Sequence, residues 1–310
     1  MLLLAALGSA GTASAAQLIA RNATGVQLRV NGKGEAMITY HQGGTLRRVL
    51  VWGAVNARTP ARGTHQVEFK VDYSGGWKSR HTTAFTGGCA PYDGPALADV
   101  VAACKAPDGS YWAAQSWQRP LPNLGFTPWT PELRQYWLEV SHWTGDDLAT
   151  FETGTNWVYS GRFQSLFGRL TYQGKPVYGF GTTRFGAPTD GFGRLVYLDT
   201  YDSAYGQGWR RENSFVPHNP TGVFCYGFYP FDPTKGGYRH PPGYTGKRGP
   251  GTGEKYRLTA SGPGVTPNVS VIVDGLHPYD KANPSDVAYQ SQQTQLLRSW
   301  GDRLCQQGLF

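Results

Sequence analysis

Between Tyr197 and Asp232 the chain gathers the residue types from which a site could be made. Asp199, Asp202 and Glu212 supply carboxylates, His218 a proton carrier, and Arg210 and Arg211 fixed positive charge beside Trp209, Tyr226 and Tyr229. Two chemistries suit this set. In one, carboxylates on either side of a sugar ring cleave a glycosidic bond as acid and as nucleophile or base. Asp199 or Asp202 with Glu212 is the pair that chemistry would use, with His218 assisting. In the other no bond breaks: aromatic rings cover sugar faces while arginines hold acidic substituents. The closely spaced Glu and Asp on one strand that mark a β-sandwich glucanase are absent, and binding asks less of the residues present. The expected function is therefore binding of extracellular glycan or another anionic polymer through Trp209, Arg210, Arg211, Tyr226 and Tyr229. The alternative is a polysaccharide hydrolase or lyase, so whether the chain is an enzyme stays open.

Elsewhere the spacings that announce a reaction are missing. Asp274-Gly275-Leu276-His277, a D-x-x-H run after an apolar stretch, resembles the block that supplies Asp and His in lipase-like hydrolases of the Gly-Asp-Ser-Leu family. That family implies an N-terminal Gly-Asp-Ser nucleophile turn and an alternating βαβ chain. Gly145-Asp146-Asp147-Leu148 lacks the serine and lies mid-chain, so His277 reads instead as a turn residue. There is no G-x-S-x-G elbow, H-E-x-x-H pair, Walker loop or dinucleotide fingerprint. Asp199-x-x-Asp202 lacks EF-hand spacing, and no cofactor or metal is expected.

The chain opens on Met1-Leu2-Leu3-Leu4-Ala5-Ala6-Leu7 and reaches Ala13-Ser14-Ala15, an A-x-A pattern. An apolar run followed by small residues predicts an export signal over 1–15, cut near Ala16. No later run approaches the ~20 apolar residues of a membrane-spanning helix. A secreted protein meets an oxidising compartment, where cysteines pair. Four cysteines allow three connectivities, and Cys89 with Cys104 and Cys225 with Cys305 is the expected one. The shorter loop would contribute about 3 kcal/mol by restricting the unfolded chain. Net charge is +8 while only 16% of residues are charged, so the excess of cations sits on a largely neutral chain. Such a balance favours acidic polymers as partners, with no signature of specific nucleic-acid recognition.

The elements that must carry these residues are mainly strands. Val26, Leu28 and Val30 alternate with polar neighbours, as do Val67, Phe69, Val71 and Tyr73, the period of half-buried antiparallel strands. Glu35 to His41 and Thr45 to Trp52 complete a meander with turns at Asn31 to Gly34 and Gln42 to Gly44. Further strands are expected at Tyr136 to Trp143, Trp157 to Tyr159, Arg169 to Tyr172, Val177 to Phe180, Leu195 to Asp199, Tyr256 to Ala260 and Val269 to Val273. Leu97, Val100, Val101 and Cys104 recur at helical spacing after Pro95, which predicts a short helix. A second helix should start at Asn283-Pro284 and present Leu296, Leu297, Trp300 and Leu304 on one face.

Arg119 to Pro131 holds four prolines, which neither a helix interior nor a central strand accepts. The expected fold is mainly β: antiparallel β-sandwich or barrel-like lobes with a short internal helix and a C-terminal helix. The organisation is an N-terminal lobe over 16–118, a proline-rich connection over 119–131 and a C-terminal lobe over 132–310. One large β domain is the other division of the same chain.

Overall fold

A computed structural model of the chain describes residues 16–61, 66–78, 85–118, 136–146, 148–158, 163–177, 196–203, 206–211, 214–215, 223–228, 231–232, 237–238, 255–274, 277 and 279–301. The first strands are β1 (Gln17–Arg21), β2 (Thr24–Val30), β3 (Ala36–Gln42), β4 (Thr45–Trp52) and β5 (Lys70–Asp72). β6 (Ala90–Pro91), β7 (Val100–Lys105), β8 (Tyr111–Gln118) and β9 (Tyr136–Trp143) follow. Next are β10 (Thr150–Val158), β11 (Phe163–Tyr172), β12 (Lys175–Pro176), β13 (Val196–Ser203), β14 (Gly206–Arg211) and β15 (Ser214–Phe215). β16 (Val223–Phe228), β17 (Phe231–Asp232), β18 (Gly237–Tyr238), β19 (Lys255–Ala260), β20 (Val269–Asp274) and the helix α1 (Pro284–Ser299) complete the order. Among the described residues the molecule is mainly β, with several antiparallel sheets, no closed barrel and a single C-terminal helix. Among the described residues no helix is long and apolar enough to cross a membrane.

The meander forms as its alternation requires, in the order β2-β3-β4-β5. Gly43 and Gly44 close its central hairpin with φ of 55° and 77°, the left-handed pair that a two-residue turn needs. Val30, Ile38, Val49 and Val51 point from this sheet onto Ile19, Trp112, Ala114, Leu138 and Val140 of a second one, ordered β1-β9-β8-β7-β6. The two make a sandwich sealed by one apolar core.

The second sheet is covered on its other face too. Gln115 and Glu139, opposite each other on β8 and β9, are 1% and 0% exposed. Gln115 donates to the carbonyls of Ala98 and Asn268, and Glu139 accepts from Trp117 Nε1 (2.9 Å) and Asn268 Nδ2 (2.6 Å). The ring of Trp117 meets Tyr197 of a third sheet, ordered β14-β13-β19-β20, edge to face. Leu198, Tyr256 and Leu258 on the far face of that sheet pack with Leu166, Leu170 and Phe224 of a fourth, ordered β10-β11-β16-β15. Leu297 of α1 and Trp300 at its C-terminal cap close the stack against Phe167 and Val223.

Two sequence expectations change. The apolar residues around 97–104 do not make a helix: Asp99 takes φ 53°, a left-handed turn, and Val100–Lys105 then pairs with β8 as a strand. Paired β-branched valines favour the strand, and 44% and 45% exposure of Val100 and Val101 shows that the helical spacing marked no buried stripe. Cys104 therefore lies in β7, and its disulfide to Cys89 ties two neighbouring strand segments instead of a helix to the meander. β8 and β9 pair from Tyr111↔Trp143 to Gln118↔Tyr136, so the expected lobes 16–118 and 132–310 share a sheet across 119–131, whose own residues lie outside the described ones. The predicted export signal over 1–15, the end of the strand expected at Val177 to Phe180, and Cys305 with its expected bridge to Cys225 lie outside them as well.

Candidate functional site

β13 carries the candidate residues by simple alternation. Val196, Leu198 and Thr200 face the core shared with β11 and β16, which turns Tyr197, Asp199 and Tyr201 to the opposite face. Antiparallel register sets their neighbours: Tyr197 stands beside Thr259, Asp199 beside Arg211 and Arg257, and Tyr201 beside Trp209 and Lys255. Exposure rises along this row. Tyr197 is sealed at 1% beneath Trp117 and Asp199 at 3%, Tyr201 and Trp209 are half-buried, and Lys255 is exposed.

Charge and aromatic rings alternate across the strands. Arg257 donates to Asp199 Oδ2 at 3.0 Å through Nη2, and its Nη1 lies 3.7 Å from Asp99 ahead of β7, so one guanidinium joins the second and third sheets. The same guanidinium lies 4.8 Å from the centre of the Trp209 ring. Trp209 meets Tyr201 edge to face at 5.2 Å, and the Lys255 ammonium lies 5.9 Å from the Tyr201 ring. Cations above indole and phenol faces are held by the ring quadrupole. Asp199 thus fixes Arg257 at the closed end, while Tyr201, Trp209 and Lys255 form an aromatic and basic surface at the open end.

Asp199 and Asp202 are not brought together. The ladder between β13 and β14 slips between Tyr201 and Ser203, where Asp202 takes φ 47° and accepts the Gly208 N–H at 2.6 Å. Asp202 is an exposed bulge residue of β13. Trp209 lies opposite Tyr201 in β14. Arg210, Arg211 and Tyr226 lie in β14 and β16, of which the backbone is described, while Glu212, His218 and Tyr229 lie outside the described residues.

A second polar constellation was not singled out by spacing. His142 in β9 is 7% exposed and stacks on Trp112 of β8 with ring centroids 4.0 Å apart. Its Nδ1 lies 2.6 Å from the Ala54 carbonyl, which can only accept, so Nδ1 carries a proton. Nε2 lies 2.8 Å from Ser110 Oγ, which lies 2.6 Å from Asp108 Oδ1. Burial pushes the imidazole down to about 4, against the opposing pull of the Ala54 carbonyl and Asp108. A base poised on a hydroxyl has the outline of nucleophilic catalysis. Ser110 is nevertheless only 2% exposed and its aspartate engages the hydroxyl instead of orienting the imidazole, so the relay joins the Asp108 turn, β9 and the segment after β4. Asp108-Gly109-Ser110, an Asx-turn sequence before a strand, was its one legible signal.

His277, which the D-x-x-H spacing set beside Asp274, meets Asp286 of α1 instead, 3.1 Å away. Asp286 also accepts from Asp280 N and Asn283 Nδ2, which places it within the start of the helix. No family model, curated protein or solved structure matches the chain.

Proposed function

We propose that the protein is secreted and binds acidic extracellular polysaccharide through the open end of the β13–β14–β19 face. The observation that carries this reading is the joined platform of Trp209, Tyr201 and Lys255, two aromatic rings in edge contact with an exposed ammonium above one of them. A sugar ring offers C–H faces to aromatic side chains, and a uronate or sulfate offers a charge to the ammonium. Arg257, held by Asp199 and Asp99, keeps Trp209 in place without being consumed by the ligand. The net charge of +8 adds long-range attraction to a polyanion. Export is supported by the apolar leader and A-x-A pattern and by the Cys89–Cys104 bridge, which suits an oxidising compartment.

The carboxylate chemistry finds less support. Asp199 is ion-paired and nearly sealed, and Asp202 binds the Gly208 N–H at a bulge, so neither has the open, facing geometry that glycoside cleavage uses.

The test is retention of the purified full chain on immobilised alginate, heparin and neutral dextran at several salt concentrations. Alginate or heparin should retain it in a salt-sensitive manner and dextran should not. Trp209→Ala should weaken retention roughly tenfold, the equivalent of about 1.4 kcal/mol for one aromatic contact. Salt-insensitive passage over both acidic polymers would overturn the proposal.

A further inference from the structure

We infer that the turn after β5 is a second, separate contact site for acidic polysaccharide, with Trp77 as its stacking surface and Arg48 and Lys78 as its cations. The ligand class rests on the reading above; the site itself does not.

The turn is built to hold its shape. Asp72, 7% exposed, accepts from Ser74 N at 2.8 Å and Ser74 Oγ at 2.5 Å, and Ser74 Oγ accepts the Lys78 N–H at 2.8 Å. Gly75 N donates to the Asp72 carbonyl, and Gly75 and Gly76 take φ of 71° and 96°. A Cβ on Gly75 would stand 2.8 Å from Arg48 Cβ, so the turn lies directly against β4 and glycine is required there. The loop is thereby fixed beside Arg48 before any ligand arrives, which lowers the ordering cost of binding.

What this frame presents is an indole facing water. Trp77 is 76% exposed and Tyr73 60%, while the Tyr73 hydroxyl is anchored on the Leu18 carbonyl at 3.2 Å. Arg48 and Lys78 are exposed.

An exposed indole on a braced turn with two cations fits an acidic sugar chain better than a lipid surface. Membrane-surface binding uses a broad apolar face, and this patch offers one indole on a polar turn.

The experiment compares the full chain with Trp77→Ala, Arg48→Ser/Lys78→Ser and Trp209→Ala on immobilised alginate and heparin, with phosphatidylserine vesicles as a parallel probe. Trp77→Ala removes a water-facing side chain, so its unfolding midpoint should match the parent. Its retention should fall at least fivefold, and the double cation variant should show a shallower dependence on salt. Loss with Trp77→Ala but not with Trp209→Ala keeps this site and overturns the β13–β14–β19 platform. Loss with Trp209→Ala alone does the reverse. Parental retention of Trp77→Ala on both polymers, or an effect of Trp77→Ala on vesicles only, overturns the inference.

Discussion

His142 and His277 each meet an aspartate, one through a serine hydroxyl deep between two sheets and the other directly at the mouth of a helix. His142 is 7% exposed; the His277 side chain is 54% exposed. The buried imidazole has a fixed tautomer and an aromatic ring stacked on it, whereas the outer one serves a carboxylate that already has two other donors. A histidine–aspartate couple is therefore not a role in itself. What it contributes depends on how many of the groups around it lose their only partner when it is removed.

The sharpest way to break this contrast is His142→Ala. The substitution leaves a cavity beside Trp112, strands the Ala54 carbonyl and deprives Ser110 of a partner. Cavity and unsatisfied polar groups together should cost about 3–5 kcal/mol, read as a shift of the urea midpoint at unchanged slope. A cost below about 1 kcal/mol would place His142 with the surface residues.

Acid should expose the same difference. The folded imidazole sits at about 4, below its ordinary 6.5, so the unfolded chain binds the extra proton first. Between those values the unfolded state holds more protons, and stability must rise with pH across the window. From pH 4 to 6.5 the gain should be on the order of 3 kcal/mol, present in full above 6.5. Subtracting the urea profile of His142→Gln from that of the parent isolates this contribution. A difference that is flat, or that grows toward acid, would mean that the native state protonates His142 readily.

How far these regions were legible depends on which periodicity survives burial. β4 and β9 begin and end where the sequence sets them, and α1 starts at its Asn283 cap, whose side chain accepts from Ser285 N. β8 was not expected, because a strand covered on both faces loses the alternation of apolar and polar residues: Ala113, Gln115 and Trp117 are as buried as Trp112 and Ala114. The residues from 95 to 104 mislead for the opposite reason, since an apolar spacing of three and four can arise on an exposed strand. Trp209 was found as an aromatic in a dense segment, but its partner Arg257 lies 48 residues away in sequence and joins it only through the register of β13 with β14 and β19. Asp199 and Asp202 were alternative partners for Glu212 because all three are close in sequence; a slip in the ladder separates the surroundings of the two aspartates.

His277→Ala gives the smallest effect and the cleanest control. Asp286, 4% exposed, is held below the ordinary carboxylate range first by the Asp280 backbone N–H and then by the His277 side chain. Because its folded value is depressed, the stability it adds is present above the unfolded carboxylate value and is lost as pH falls through the folded one. Removing His277 leaves the Asp280 and Asn283 donors in place and the helix cap intact. At neutral pH the change should stay within about 0.5 kcal/mol, as for surface substitutions that orphan no buried group. The informative measurement is the acid limb of the urea midpoint, which should move to slightly higher pH than in the parent as Asp286 loses one of its donors. If His277→Ala instead unfolds the C-terminal helix, seen as loss of helical circular dichroism at neutral pH, the outer couple is as structural as the inner one and exposure has ceased to separate them.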